Sequence, residues 1–246
     1  MISSTRGLIA TGVLTLVLGL IVMFPARVAI GWFAPAEVTI GGIQGSLWNG
    51  SANEAAVNGL YMRDIEWSLN ALPLFTGELS YSVDATPVSG FLESDVSIGY
   101  SGALTLSDLT AALPLDLLAD VLNVPGLQGN VSLSFERIEI VDGLATAADG
   151  TAQFADLMIP IFGRDSLGGY KAEFFTQNNG ITASIEDTDG VLDLAGSLEV
   201  SADRSFKFIA LAIAKPEAPQ RIRQLLQTLP AANNRGQREL RYEGIL

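Results

Sequence analysis

The chain of 246 residues contains neither cysteine nor histidine. Their absence excludes disulfides, thiol nucleophiles, histidine general bases and metal sites built from these two ligands. Serine–lysine catalysis requires an S-x-x-K motif, which the sequence also lacks. No Asp or Glu lies within an apolar run where burial would prepare it for acid–base catalysis. We therefore predict that the protein is not an enzyme and uses no cofactor and no metal ion.

Positive charge is scarce as well. The sequence has 14 Lys and Arg against 27 Asp and Glu, which gives a formal net charge of -13. Arg6 and Arg27 are the only charged side chains before Glu37. An acidic body without a basic cluster binds nucleic acid poorly, because that affinity depends on cations meeting phosphates. It also disfavours electrostatic docking on an anionic membrane surface, so we predict no nucleic-acid partner.

One long apolar run lies near the N-terminus. Residues 7–26 carry no charge, and residues 7–24 include two threonines as their only polar side chains. About 20 apolar residues span the hydrocarbon core of a bilayer as a helix. A cleaved signal peptide is the main alternative, with a small-residue site at Ala34-Pro35-Ala36, and a buried helix is another. The site lies far beyond Phe24 and the apolar run exceeds a usual signal core, so we favour an uncleaved transmembrane helix.

The rest of the chain is dominated by strand patterns. Ile65, Trp67 and Leu69 alternate with polar residues, and Leu79 begins a second alternating run. A glycine often precedes such a run, which favours a curved sheet. Turns are predicted at four dipeptides. They are Asp142-Gly143, Asp149-Gly150, Asn179-Gly180 and Asp189-Gly190.

Two segments interrupt the strand pattern and are predicted to be helical. Residues 107–122 have N-cap candidates at Ser107 and Asp108 followed by leucines at helical spacing, and residues 219–229 begin with Pro219. The fold class predicted is all-β, a curved antiparallel sheet with two short helical segments and one N-terminal transmembrane helix. A half-barrel is the first choice and a closed sandwich the second.

Two further motifs have a structural and a functional interpretation. Trp48 and Trp67 could form an aromatic binding site, but both lie in an apolar strand phase, which favours the sheet core. Asp187-Thr188-Asp189-Gly190 resembles a fragment of a calcium loop. It lacks the length and the closing Glu of such a loop, so we interpret it as a turn.

Several short elements together resemble the N protein family of the bacterial type II secretion system (GspN). A G-x-L-W-x-G element is followed by W-x-L, a proline and G-x-L, with related glycines further on. The residues are Gly45, Leu47, Trp48, Gly50, Trp67, Leu69, Pro73, Gly77, Leu79, Gly129, Gly196 and Gly244. Pro73 comes later than the proline of the family pattern. The matching elements are structural rather than catalytic.

This resemblance implies an accessory inner-membrane component that takes part in protein export across the outer membrane. Its expected parts are a cytoplasmic tail (1–6), a transmembrane anchor (7–26) and a periplasmic β-rich domain (27–246). Its expected partners are the membrane and other type II secretion components. The strand pattern is also similar to AsmA-like proteins, whose curved sheets form apolar grooves for lipid. The alternative function is therefore binding or transfer of a lipid or another amphiphile in a partly open groove.

Overall fold

The computed structural model describes residues 2–33, 38–57, 60–120, 122, 124–177 and 180–245. The helices in this part of the chain are α1 Ile2–Val22, α2 Ala26–Phe33 and α3 Gln220–Gln227, with 3₁₀ helices at Pro73–Thr76, Leu115–Leu118 and Pro160–Phe162. The strands are β1 Val38–Gly41, β2 Gln44–Gly45, β3 Asn49–Val57, β4 Leu60–Asn70, β5 Leu79–Pro87, β6 Phe91–Ile98, β7 Leu104–Pro114, β8 Gln128–Val141, β9 Leu144–Met158, β10 Tyr170–Gln177, β11 Gly180–Asp187, β12 Leu192–Val200, β13 Ser205–Ala214 and β14 Arg238–Ile245.

All of these strands belong to one antiparallel sheet. Its order is β1-β3-β4-β5-β6-β7-β8-β9-β10-β11-β12-β13-β14, with β2 paired to β3 outside this path. From β3 onward the sheet is a meander, because each strand pairs with its neighbours in sequence. Within the described residues β1 and β14 are the two edges and do not pair with each other, so the sheet is open. The predicted curved antiparallel sheet is confirmed, and the closed sandwich is wrong.

One face of the sheet, here called the apolar face, carries most of the large hydrophobic side chains. On β7 and β8, Leu109 lies opposite Phe135 and Leu113 lies opposite Val131. The alternation is interrupted at Asp108, which has a φ of 51° and lies where the β6–β7 register shifts. Such a bulge adds one residue to the strand. Leucines on both sides of Asp108 consequently remain on the same face.

On β4, β5 and β6 the opposite face is polar, as the alternation predicts. Asn70 on β4, Ser82 on β5 and Asp95 on β6 are adjacent there, and the Ser82 hydroxyl donates a hydrogen bond to the Asp95 carboxylate. The 3₁₀ helix Leu115–Leu118 contacts β4 as well as β7 and β8. Contact with strands three places apart shows that the sheet curves around this segment.

The apolar face is covered by other segments of the chain at one end of the strands and not to the same extent at the other. At one end, here called the capped end, connecting segments and α3 lie against the apolar face. Leu115 and Ile222 are each only 1% exposed there, and they belong to two apolar clusters that continue into the sheet. The other end, called the hairpin end, consists of short turns and the segments that lead to α1 and α2.

The two predicted helical segments have different outcomes. Residues 219–229 contain α3, as expected. For residues 107–122 the prediction is wrong, since residues 107–114 belong to β7 and only Leu115–Leu118 is a short 3₁₀ helix. Leucines four residues apart share a face in a strand as well as in a helix. Pairing with β6 and β8 satisfies the backbone of β7, and Asp108 forms a bulge instead of an N-cap.

Of the four predicted turns, two are confirmed, one is wrong and one falls partly outside the described residues. Asp142-Gly143 joins β8 to β9, and residues 188–191 join β11 to β12, as expected. The turn at Asp149-Gly150 is wrong, because both residues lie inside β9 opposite Phe135 and Arg137. The Asn179-Gly180 prediction falls partly outside the described residues, and Gly180 begins β11.

The N-terminal run forms α1, which ends before Phe24-Pro25, and a second helix follows. The side chains of residues 7–23 are exposed. By contrast, Ala26 and Ala29 of α2 are 0% and 5% exposed. Among the described residues, none of the helices combines the length and the apolar character needed to cross a membrane.

Candidate functional site

The end of α1 is fastened to the sheet at the hairpin end by a set of hydrogen bonds, here called the junction. The indole Nε1 of Trp48 donates to the carbonyl of Ile21 at 2.7 Å, and the amide of Leu47 donates to Phe24 at 2.9 Å. The indole Nε1 of Trp67 donates to the carbonyl of Ser46 at 3.3 Å. Trp48 and the Leu47 amide thus tie the end of α1 and Phe24 to the turn before β3, and Trp67 ties that turn to β4.

Two glycines make this arrangement possible. Gly45 has a φ of +82°, and a Cβ there would lie 2.6 Å from the carbonyl oxygen of Asn49, so the tight turn into β3 requires glycine. A Cβ on Gly50 would lie 2.5 Å from the Trp67 ring. The ring therefore occupies the space above Gly50, which pairs with Trp67 across the strands. The G-x-L-W-x-G element and Trp67 form one structural unit.

Both tryptophans are partly buried. Trp67 lies on the apolar face opposite Val83, which agrees with its strand phase. The interpretation of Trp48 as a residue of the sheet core is wrong, because Trp48 lies in the turn between β2 and β3 and contacts the helix. A buried or half-buried indole needs an acceptor for its N–H, but no residue type marks a backbone carbonyl as that acceptor. The sequence therefore gave no signal for this contact.

The other family-pattern residues are spread over the sheet. Leu69 and Leu79 lie on the apolar face at its hairpin end. Pro73 begins the 3₁₀ helix Pro73–Thr76, and Gly77 ends it with a φ of +85°. Gly129 lies at a bulge between β8 and β9, Gly196 on β12 and Gly244 on β14. These positions do not converge on one pocket.

Glycines on the apolar face lie beneath aromatic rings at several places. A Cβ on Gly244 would lie 2.7 Å from the Phe206 ring, and one on Gly150 would lie 2.7 Å from the Phe135 ring. Phe135 also meets Phe174 from the next strand but one, with ring centroids 5.4 Å apart. The missing side chain at each of these glycines therefore leaves room for a neighbouring aromatic ring.

At the hairpin end the apolar face is only partly covered. Leu69, Tyr81 and Val96 lie side by side on β4, β5 and β6 and are each partly exposed. The Tyr81 hydroxyl is buried and has no hydrogen-bond partner among the described residues. Its burial raises the pKa of Tyr81. A buried hydroxyl without a partner is uncommon in a folded protein.

Beyond these strands, large apolar side chains project from two adjacent loops, 71–78 and 99–103. They are here called the rim. Its members are Leu72 (82% exposed), Leu74 (46%), Phe75 (90%), Ile98 at the end of β6 (48%) and Tyr100 (98%). Leu72 precedes the 3₁₀ helix Pro73–Thr76 of this connection, and Leu74 and Phe75 lie within it.

The calcium-like fragment is an ordinary turn. The Asp187 carboxylate pairs with Lys215 at 2.6 Å and accepts a hydrogen bond from the Leu194 amide. The hydrogen bond to Asp187 raises the pKa of the Lys215 ammonium. Asp187 thus has protein partners on the capped side of the sheet, and its role there is structural.

Comparison with known proteins identifies the chain as a component of the type II secretion system. A family model described as "Type II secretion system (T2SS), protein N" matches residues 36–241. Because this match covers well over half of the sequence, the chain belongs to that family. Family membership confirms the resemblance that the G-x-L-W-x-G and related elements indicated.

Three curated relatives, each named type II secretion system protein N, are similar over almost their full length. The protein of Vibrio cholerae is 25% identical over 244 residues, which cover 94% of each chain. The protein of Aeromonas hydrophila is 25% identical over 92% of each chain. The protein of Pectobacterium carotovorum is 23% identical over 90% of each chain. No solved structure matches the chain.

Proposed function

We propose that the protein is an accessory inner-membrane component of the type II secretion system. Residues 1–6 form a cytoplasmic tail, residues 7–26 a single-pass anchor and residues 27–246 a periplasmic domain. The domain contacts other secretion components and assists protein export across the outer membrane without catalysing a reaction. Family membership supports the secretion role, and the features of α1 support the anchor.

The observation that supports the proposed anchor is the exposed apolar surface of α1. Its apolar side chains from Leu8 to Met23 are exposed over their whole circumference, with Leu8 at 75% and Met23 at 78%. Thr11 and Thr15 donate their hydroxyls to carbonyls one turn earlier, at 3.0 Å and 2.9 Å. From Gly7 to Val22 the helix therefore presents an apolar surface on which both threonine hydroxyls are paired, which suits hydrocarbon.

The junction holds the sheet close to the end of the proposed anchor. Trp48 binds the last turn of α1, and Leu47 binds Phe24, two residues after the helix. The sheet is therefore not joined to the helix by a free linker. The domain is held close to the point where the chain leaves the helix. A secretion component at this position presents the sheet to partners near the outer surface of the inner membrane.

Topology and secretion are tested together in the cell. A chain with a C-terminal tag is expressed in a type II secreting strain whose own N protein is deleted. We expect an intact N-terminus by mass spectrometry, protease access to the domain only after the outer membrane is opened, and restored secretion. A mature protein that begins near residue 37 would overturn the anchor, and unrestored secretion would contradict the role in export.

A second function is favoured by the partly exposed apolar face. An AsmA-like groove that holds a lipid or another amphiphile would use the surface around Leu69, Tyr81 and Val96. Native mass spectrometry of the purified full chain tests this function. Bound phospholipid that is lost on Val96→Glu but kept on Leu122→Glu, at the capped end, would support it. A lipid-free protein would exclude it.

A further inference from the structure

The rim has the composition of a surface that enters the edge of a bilayer. Phe75, Leu72 and Tyr100 are 90%, 82% and 98% exposed. Residues 71–77 and 99–103 contain no charged side chain, and Glu78 is the single acid at the base of the first loop. Exposed leucine and aromatic side chains on uncharged loops are typical of interfacial contacts.

The rim is adjacent to α1 in the structure of the sheet. Trp48 links the two, since its indole donates to Ile21 of α1 and its carbonyl accepts the amide of Leu69 on β4 at 2.7 Å. The loop 71–78 begins two residues after Leu69. The second loop lies at the same end, because Ile98 pairs with Leu79 and Leu104. Two hydrogen bonds through Trp48 thus connect the end of α1 to the strand that leads into the rim.

Two turns of the hairpin end that lie farther from the helix carry charge. The loops nearest α1 are apolar, whereas the β8–β9 turn contains Asp142 and the β12–β13 turn contains Asp203 and Arg204. A protein of net charge -13 gains nothing from electrostatic attraction to anionic lipid. Apolar insertion is the interaction that this surface supports, and it is confined to the part of the sheet beside the helix.

We propose that the rim rests in the interfacial layer of the bilayer beside α1, so that the open end of the apolar face meets the lipid surface. This inference rests on the proposed anchor. It fixes the orientation of the domain, because a sheet held at the junction and at the rim has two points of contact with the membrane. The capped end then points away from the membrane toward the periplasm.

The experiment uses the absence of cysteine, which allows single-cysteine variants of the full chain to be labelled with the fluorophore NBD. The labelled sites are Phe75→Cys and Tyr100→Cys on the rim, Leu14→Cys in the anchor and Leu122→Cys at the capped end. Leu122 is a matched control, because it is an apolar side chain 53% exposed. Each variant is reconstituted into vesicles of phosphatidylethanolamine and phosphatidylglycerol, with and without lipids that carry a nitroxide quencher.

We expect both rim probes to shift to shorter emission wavelength and to lose most of their fluorescence with shallow quenchers. The Leu14 probe should respond to deep quenchers, and the Leu122 probe to neither kind of quencher.

Quenching at Leu14 without quenching at Phe75 and Tyr100 would overturn the rim proposal and leave the anchor. Quenching at the rim without Leu14 would support the rim and overturn the anchor. Rim probes that are not quenched by nitroxide lipids, together with cross-linking of the rim to another secretion protein, would also overturn the proposal. Unchanged thermal unfolding of each variant confirms that the labels report on the folded domain.

Discussion

The capped end and the hairpin end of the same strands both carry large apolar side chains, but these side chains are buried at the capped end and exposed at the hairpin end. At the capped end Leu115, Leu192 and Ile222 are at most 7% exposed beneath connecting segments and α3. At the hairpin end Leu72, Phe75 and Tyr100 are exposed, and the apolar face near Val96 is only partly covered. Burial of apolar surface is the main source of stability. The comparison indicates that one end stabilises the sheet and the other remains available for contact.

The largest decrease in the free energy of unfolding is expected when a buried side chain at the capped end is truncated. Ile222→Ala removes a side chain that is 1% exposed and should lower the free energy of unfolding by about 2–5 kcal/mol. Leu225→Ala on the same helix is the control, because Leu225 is 36% exposed. Its effect should stay within about 1 kcal/mol. Denaturant unfolding of the full chain in detergent measures both, and equal effects would contradict a stabilising role for the capped end.

The junction should respond strongly to added volume. Gly50→Val places a side chain where Trp67 lies, since even a Cβ would approach the ring to 2.5 Å. Displacing the ring should cost about 1–3 kcal/mol of the free energy of unfolding. Gly99→Ala, at the same end, is the control, because its nearest neighbour is the Ser101 hydroxyl at 3.7 Å. A Gly50→Val protein as stable as the parent would show that the Trp67 ring is not fixed there.

Loss of one junction hydrogen bond should have a smaller and more local effect. Trp48→Phe keeps the aromatic ring but removes the donor to Ile21, at a cost of about 0.5–1.5 kcal/mol. The clearest readout is trypsin cleavage after Arg27, which should become faster as the end of α1 loosens. Trp32→Phe serves as the control, since Trp32 is 70% exposed. Unchanged cleavage in Trp48→Phe would argue that the hydrogen bond does not hold the helix.

The smallest effect is expected in alkaline solution. Burial raises the pKa of Tyr170 above its ordinary value of 10.0, and the hydrogen bond to Asp187 raises that of Lys215 above 10.5. A raised pKa in the folded state means that this stability is present below about pH 10 and is lost as the pH rises further. Tyr170→Phe should flatten the decline above this pH in a series of unfolding curves. Tyr100→Phe is the control, and an equally steep decline in Tyr170→Phe would remove Tyr170 as a cause.

The sheet was predictable from the sequence because its signals are local. Alternation at Trp67 and Leu69, the Asp142-Gly143 turn and the α3 segment each depend on a few adjacent residues. The β7 strand was mistaken for a helix because the Leu109–Leu113 spacing fits both periods, and the bulge at Asp108 resembles an N-cap. A single sequence does not distinguish these, since pairing with β6 and β8 decides the outcome.

The candidate site was only partly predictable for a different reason. The G-x-L-W-x-G element identified the residues of the junction, but the acceptors of Trp48 and Trp67 are backbone carbonyls that no side chain marks. The rim was also missed, because the exposure of Leu72 and Phe75 depends on which segments of the folded chain lie against this loop. Both features are long-range consequences of how the meander begins and curves.

The central claim is that the apolar face is closed at the capped end and open at the hairpin end. The most direct measurement compares N-ethylmaleimide reaction of Val96→Cys and Leu113→Cys in the folded full chain. Both residues lie on the apolar face, on the neighbouring strands β6 and β7, but Leu113 is only 6% exposed. The account predicts that Val96→Cys reacts in the native protein, whereas Leu113→Cys reacts only as fast as the domain unfolds. Equal protection of the two thiols would contradict it, because the face would then be closed along its whole length.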